Sequence, residues 1–331
     1  MNRIESAPLP VPRGRQAATT ISLAATFLIL VVFFAWRSPN FLTAINLVNL
    51  ASTLAIVGIV AIGETLVLIT GGVDISVGAV AALAGVVTSV LLLNYGWPSI
   101  WLCALAALIA GTIVGLTNGL LITRFKINPL IATLGAYSIA RGLAFVLSGG
   151  QTNLLNDPGF QFLGRGAIAG IPFSLLLMLL LYALFWVVLN HTPFGRNLYA
   201  IGSNREAARL SGIRVNRHLL VVYAVTGLLS ALGGLINVSQ LASSAPRSAV
   251  GLEFTVIAAV VLGGTSLSGG KGSLVGTFIG VIILRILDNG LTLLNISSFW
   301  QDVARGTVLL LAVGFDQIRQ RWSEREARRG Q

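Results

Sequence analysis

The chain has 331 residues, 55% of them hydrophobic and only 10% charged, and its mean hydropathy is +0.86. A soluble domain carries roughly 25% charged residues, so too few polar side chains are present to cover a soluble surface. The single cysteine, Cys103, excludes an internal disulfide and a Cys-rich metal site, and His191 and His218 alone give too few ligands for a His-based one. The net charge of +11 suits cytoplasmic loops facing anionic lipid better than nucleic acid.

Residues 1–16 form a polar, basic tail with Arg3, Arg13 and Arg15. The apolar run behind it is long and ends at Trp36-Arg37 without a small-x-small cleavage site, so 17–36 is expected to be an uncleaved first span. Ile75 to Thr123 is 49 residues without Asp, Glu, Lys or Arg, and a bilayer span needs about 20 apolar residues. The further spans are expected at 45–70, 75–93, 99–123, 130–148, 172–190, 218–240, 253–267, 273–293 and 299–316. The predicted fold class is therefore an all-α polytopic membrane protein of about ten transmembrane helices, some short or Gly-broken, with both termini cytoplasmic. One transmembrane domain, 17–316, carries a cytoplasmic loop at 191–217 and a basic tail at 317–331. In that orientation the inside segments hold 16 of the 22 Lys and Arg and the outer loops only Arg37, Arg165 and Arg247, the asymmetry that sets topology. Trp36, Trp97, Trp101 and Trp300 fall at outer helix ends, where an interfacial belt places them. No loop is long enough to bury a core of its own, so the energy source is the membrane potential, an ion gradient or a separate subunit.

Two segments read alike. Residues 71–78 are Gly-Gly-Val-Asp-Ile-Ser-Val-Gly, and residues 263–270 are Gly-Gly-Thr-Ser-Leu-Ser-Gly-Gly. Gly71, Gly72, Asp74 and Gly78 in the first, and Gly263, Gly264 and Gly270 in the second, are candidates for helix breaks that gate a path. Asp74 or Ser76, and Ser266 or Ser268, are available to cap the helices that follow. The apolar run from Glu253 to Leu262 is too short for a relaxed span. Two ordinary tight turns between spans remain the alternative. A phosphate loop at Lys271 is excluded: the pattern needs a Gly where Thr265 stands and a hydroxyl where Gly272 stands.

In loop 191–217, Ser203 and Glu206 form S-x-x-E, read as a capping box. It would start a short helix through Asn204, Arg205, Ala207, Ala208 and Arg209, ended by Gly212. A free two-turn helix is marginal in water. It is explained by a protein partner covering it, or by a membrane-surface position; Ala-Ala and Ser-Gly are poor membrane anchors.

Taken together, Thr70 to Gly78, Asn128-Pro129-Leu130-Ile131-Ala132-Thr133-Leu134-Gly135, Gly195-Arg196 through Gly212-Ile213, and Leu262 to Ser266 with Gly269-Gly270 resemble the monosaccharide-type (ribose-permease-like) permeases of bacterial ABC importers, over roughly residues 40–315. The resemblance implies a permease in the bacterial inner membrane, paired with a second copy or a paralogue. A periplasmic or tethered sugar-binding protein would deliver the solute. A cytoplasmic ATPase would bind ATP and Mg and supply energy, this chain holding no cofactor, metal or catalytic site. Segment 203–212 would be the ATPase-coupling helix, with Glu206-Ala207-Ala208 echoing the family's Glu-Ala-Ala loop. The solute is a monosaccharide or polyol ahead of a branched-chain amino acid.

Ionisable residues inside spans need named roles. Asp288 and Arg305 lie at similar depth on the last two spans and are expected to pair as a clamp. Arg141 is a further intramembrane charge. Glu64, Asn118 and Asn289 are the candidates for lining the translocation path. An ion-coupled secondary transporter is the alternative, but its acids should recur in equivalent positions, and Glu64 and Asp288 do not. An enzyme is disfavoured because no Ser-His-Asp, metal-spaced His or paired-carboxylate constellation occurs.

Overall fold

A computed structural model describes residues 13–329, with side chains described for most of 23–317. Its helices are α1 (Arg13–Arg37), α2 (Ala44–Ile69), α3 (Val77–Leu93), α4 (Ile100–Thr123), α5 (Pro129–Ser148), α6 (Pro158–Arg165), α7 (Phe173–His191), α8 (Pro193–Ser203), α9 (Arg205–Leu210), α10 (Val215–Leu241), α11 (Leu252–Leu262), α12 (Leu274–Leu293) and α13 (Ser298–Arg329). Four two-residue strands make two small antiparallel pairs: β1 (Asn153–Leu154) with β4 (Ser243–Ser244), and β2 (Ala167–Ile168) with β3 (Ile171–Pro172).

Every expected span falls on a helix whose ends agree within four residues, apart from two C-terminal ends. The segment expected at 253–267 stops at Leu262, because Gly263 and Gly264 close it. The last helix continues past 316 to Arg329. Among the described residues, α2, α4, α5, α7, α10 and α12 are long and apolar enough to cross a membrane. Residues 23–37 of α1, α3 and α11 are apolar but shorter.

The stretch 149–171, expected as plain loop, contains α6. Asp157 accepts from Phe160 N at its start, and Pro158 occupies the first turn, where a missing N–H costs nothing. Ser239 Oγ of α10 ties it down, accepting from Gly164 N and donating to the Phe160 carbonyl, both at 2.7 Å. Beside it, Ser89 on α3 gathers Asn153 of β1 and Ser244 of β4.

The core is built around α2, α3, α10 and α11. The run Val57–Ile69 of α2 is buried on every side, as a helix at the centre of a bundle must be. Glycines permit close approach: Gly111 and Gly115 of α4 meet Gly227 and Tyr223 of α10 backbone to backbone. The outer helices expose large apolar side chains: Leu28, Ile29 and Val32 on α1, Ile109 and Ile113 on α4, Ile131 and Ile139 on α5, Leu180 and Leu184 on α7. A hydrophobic face of this extent has a place only against lipid or another membrane chain.

Candidate functional site

The segment between α7 and α10 is more ordered than a loop. Thr192 Oγ1 accepts from Gly195 N and Pro193 sits in the first turn, so α8 begins directly after α7. Its apolar residue Ile201 packs with Ala208 of α9 and Leu219 of α10. His218 closes the unit: its ring stacks on Phe194 with centroids 5.3 Å apart, and its Nε2 lies 3.1 Å from Asn197 Nδ2.

The cap of α9 is Asn204, not Ser203. Asn204 Oδ1 accepts from Glu206 N and Ala207 N, both at 3.0 Å. Ser203 instead ends α8, its hydroxyl donating to the Tyr199 carbonyl at 2.9 Å. The capping-box reading fails because α8 already uses the serine; asparagine caps equally well one residue later. Gly212 has φ +84°, as expected for the residue that ends the helix. Only Ala208 of α9 is buried; Arg205, Glu206, Ala207, Arg209 and Leu210 project outward, and Leu210 is 77% exposed. Glu206 and Arg209 pair at 2.6 Å, and the hydrogen bond from Arg209 holds the Glu206 carboxyl below the usual carboxylate range.

The two glycine turns touch each other. Gly270 N donates to the Ile69 carbonyl at 2.9 Å, and Gly71 packs on Ser268 and Gly269. Gly71 and Gly270, at φ +77° and +71°, adopt left-handed conformations that other residues resist. Gly72, Gly78 and Gly263 are used for closeness instead: a Cβ there would overlap the Tyr223 hydroxyl, the Glu253 carboxylate and the Gly276 backbone respectively. Gly264 has φ +90°. In the first turn Asp74 accepts from both Ser76 N and Ser76 Oγ, and Ser76 is the N-cap residue of α3 without making a side-chain capping bond. The helix after the second is capped by Ser273, not by Ser266 or Ser268, since α12 starts only at Leu274.

Glu64 and Asn118, expected on a path, are fully buried. Glu64 Oε1 accepts from Asp74 N at 3.1 Å, and Asn118 Nδ2 donates to Ser76 Oγ at 3.0 Å. They stitch α2 and α4 to the first glycine turn. Asn289 exchanges two hydrogen bonds with Asn46, at 2.8 and 2.9 Å, joining α12 to α2. Asp288 is buried and receives Arg285 Nη1 at 3.2 Å and Arg305 Nε at 3.1 Å; Arg305 also reaches Asp302. Arg141 donates to the carbonyls of Pro246 and Ser248, anchoring the α10–α11 connection. Sequence reasoning missed Tyr199, Gly202, Tyr223 and Glu253 as contact residues; no spacing signal marks them, because each acquires its role from a partner distant in sequence.

Comparison with known proteins gives a consistent picture. A family model described as branched-chain amino acid transport system / permease component matches residues 46–313. The ribose import permease protein RbsC of Bacillus subtilis is 46% identical over 87% of this chain and 90% of its own length. RbsC of Escherichia coli K12 is 40% identical over 88% and 92%. The L-arabinose transport system permease protein AraH of the same strain is 41% identical over 90% of each. No solved structure matches. With relatives of that identity spanning nearly its whole length, the chain belongs to this permease family of ABC importers, alongside the ribose and arabinose permeases.

Proposed function

We propose that this chain is the transmembrane subunit of an ATP-driven, binding-protein-dependent importer of a monosaccharide or related polyol. The observation that carries the reading is the helix α9: six residues, capped, ion-paired and turned outward with an exposed leucine. Such a helix is too short to persist alone and offers a ready seat for a partner. We place an ATPase there, carrying ATP and Mg, with Arg205, Glu206 and Arg209 supplying polar contacts and Leu210 an apolar one. The names of the similar permeases favour a sugar over a branched-chain amino acid.

In this reading ten helices cross the inner membrane and both ends face the cytoplasm, as the distribution of Lys and Arg supports. The exposed apolar faces of the outer helices meet lipid and a second permease copy or paralogue. A binding protein delivers the solute to the outer side. ATP-driven movement of the ATPase pair displaces α9, and the bundle exchanges outward-open for inward-open states. The glycine breaks at 71–72 and 263–264 are the points that bend, and Asp288 with Arg285 and Arg305 holds α12 to α13 throughout.

The experiment is uptake of labelled ribose and arabinose by vesicles holding the permease, its ATPase and its binding protein. Uptake is expected to require ATP and to persist when ion gradients are collapsed. Uptake that follows an ion gradient and ignores ATP would overturn the reading.

A further inference from the structure

We infer that Gly202 and Tyr199 on α8 are positioning residues that transmit movement of α9 to both glycine breaks at once. The inference rests on the coupling role proposed for α9.

Three backbone segments meet at one point: the end of α2 (Ile69–Gly71), the second glycine turn (Gly269–Gly272) and the end of α8 (Tyr199–Ser203). At Gly202 a Cβ would overlap the Ile69 carbonyl oxygen and the Gly270 amide. At Gly269 it would lie 2.8 Å from Gly71 N and 3.0 Å from the Gly202 carbonyl oxygen. At Gly270 it would lie 2.6 Å from Ser203 Oγ and 3.0 Å from Ser203 Cα. The contact is therefore main chain against main chain. Two hydrogen bonds fasten it: Gly270 N to the Ile69 carbonyl at 2.9 Å, and Tyr199 Oη to the Gly272 carbonyl at 3.0 Å.

The lever arm is short. Helix α8 ends at Ser203 and α9 starts at Arg205, with Asn204 alone between them. Asn204 N donates to the Ala200 carbonyl of α8 while its side chain caps α9. A displacement of α9 thus reaches Gly202 through one linking residue. There it meets the break between α2 and α3 and the break between α11 and α12 simultaneously. Side chains yield by changing rotamer, whereas close-packed backbone transmits displacement, which is why glycine is required on each face.

The test uses the complete transporter in liposomes, reading three quantities: ATPase co-purification, ATP hydrolysis, and solute imported per ATP hydrolysed. Gly202→Ala is expected to keep the ATPase bound and hydrolysing while import per ATP falls about tenfold, the overlap forcing the segments apart. Tyr199→Phe, which removes one hydrogen bond and no volume, is expected to lower import per ATP by about two- to tenfold. An unchanged ratio in Gly202→Ala, including a parallel fall of hydrolysis and import, overturns the joint. If Gly202→Ala does not reach the membrane, Tyr199→Phe decides alone, and an unchanged ratio overturns the inference. Failure of the unaltered permease to bind an ATPase or to respond to ATP would instead overturn the coupling reading beneath it.

Discussion

The ion cluster at Asp288 separates a structural clamp from a solute contact. Asp288 is 7% exposed and carries two guanidinium partners, Arg285 from its own helix and Arg305 from α13. Replacing it by Ala leaves both cations without that acceptor. Arg305 retains the exposed Asp302, but Arg285 loses its ion partner, and its buried Nε already has no hydrogen-bond acceptor among the described residues. Removing one member of a buried pair costs about 3–5 kcal/mol, mostly the desolvated charge left behind. That is a loss of roughly a hundredfold or more in the folding equilibrium. Asp288→Ala should therefore lower the melting temperature and yield in detergent. The neutral pair Asp288→Asn with Arg285→Gln removes the stranded charge, while Arg305 keeps Asp302 and an amide acceptor at 288, and it should recover more than half of that loss. The assay is thermal unfolding followed by size-exclusion chromatography, with uptake measured on the same preparations. A clamp predicts that stability and uptake recover together. A neutral pair that is fully stable yet imports nothing would refute the clamp and place Asp288 on the path instead.

Other consequences follow from single contacts. Asn204→Ala removes the acceptor for two backbone amides and should cost about 1 kcal/mol, seen as weaker ATPase co-purification; Asn204→Asp should retain it. Glu206 titrates lower in the folded chain than free, so its pairing with Arg209 is complete above the usual carboxylate range and disappears as pH falls through the folded value. ATPase binding should then be flat across neutral pH, with any contribution of this pair lost only in acid, as a pull-down at graded pH would report. Gly72→Ala should destabilise by about 1–3 kcal/mol, the cost of overfilling a tight contact. Because the Tyr223 hydroxyl it would strike has no hydrogen-bond partner among the described residues, adding Tyr223→Phe should restore stability, measured by thermal unfolding of the single and double variants.

What could be read in advance was set by local chemistry. Spans were legible because stretches as long as Ile75 to Thr123 carry no charge; the end of α11 was set late, at 267, although Gly263-Gly264 stand where it stops. The Asp288–Arg305 contact followed from depth on two adjacent spans. The start of α9 was misplaced by one residue because Ser203 and Asn204 are equally good caps; the decision came from α8, whose Thr192-Pro193 start was taken as loop. For Glu64, Asn118 and Asn289 the sequence marked a polar group inside a span but not its partner. A polar residue on an apolar helix can face a channel or another polar group, and periodicity does not say which. Here each meets a partner supplied by another segment: Asp74 N, Ser76 and Asn46. The likeness of the two glycine segments was visible as a pattern. That they touch, almost two hundred residues apart, depends on the whole bundle and has no local signature.

The most direct measurement concerns the exposed apolar residue of α9. The sole native cysteine, Cys103, is buried, so a cysteine placed by Leu210→Cys gives the one readily reached thiol among the described residues. Reacted with a membrane-impermeant maleimide in oriented vesicles, it should label only from the cytoplasmic side, and the ATPase, once bound, should protect it. Labelling from the outer side, or labelling that the ATPase leaves unchanged, would contradict the account.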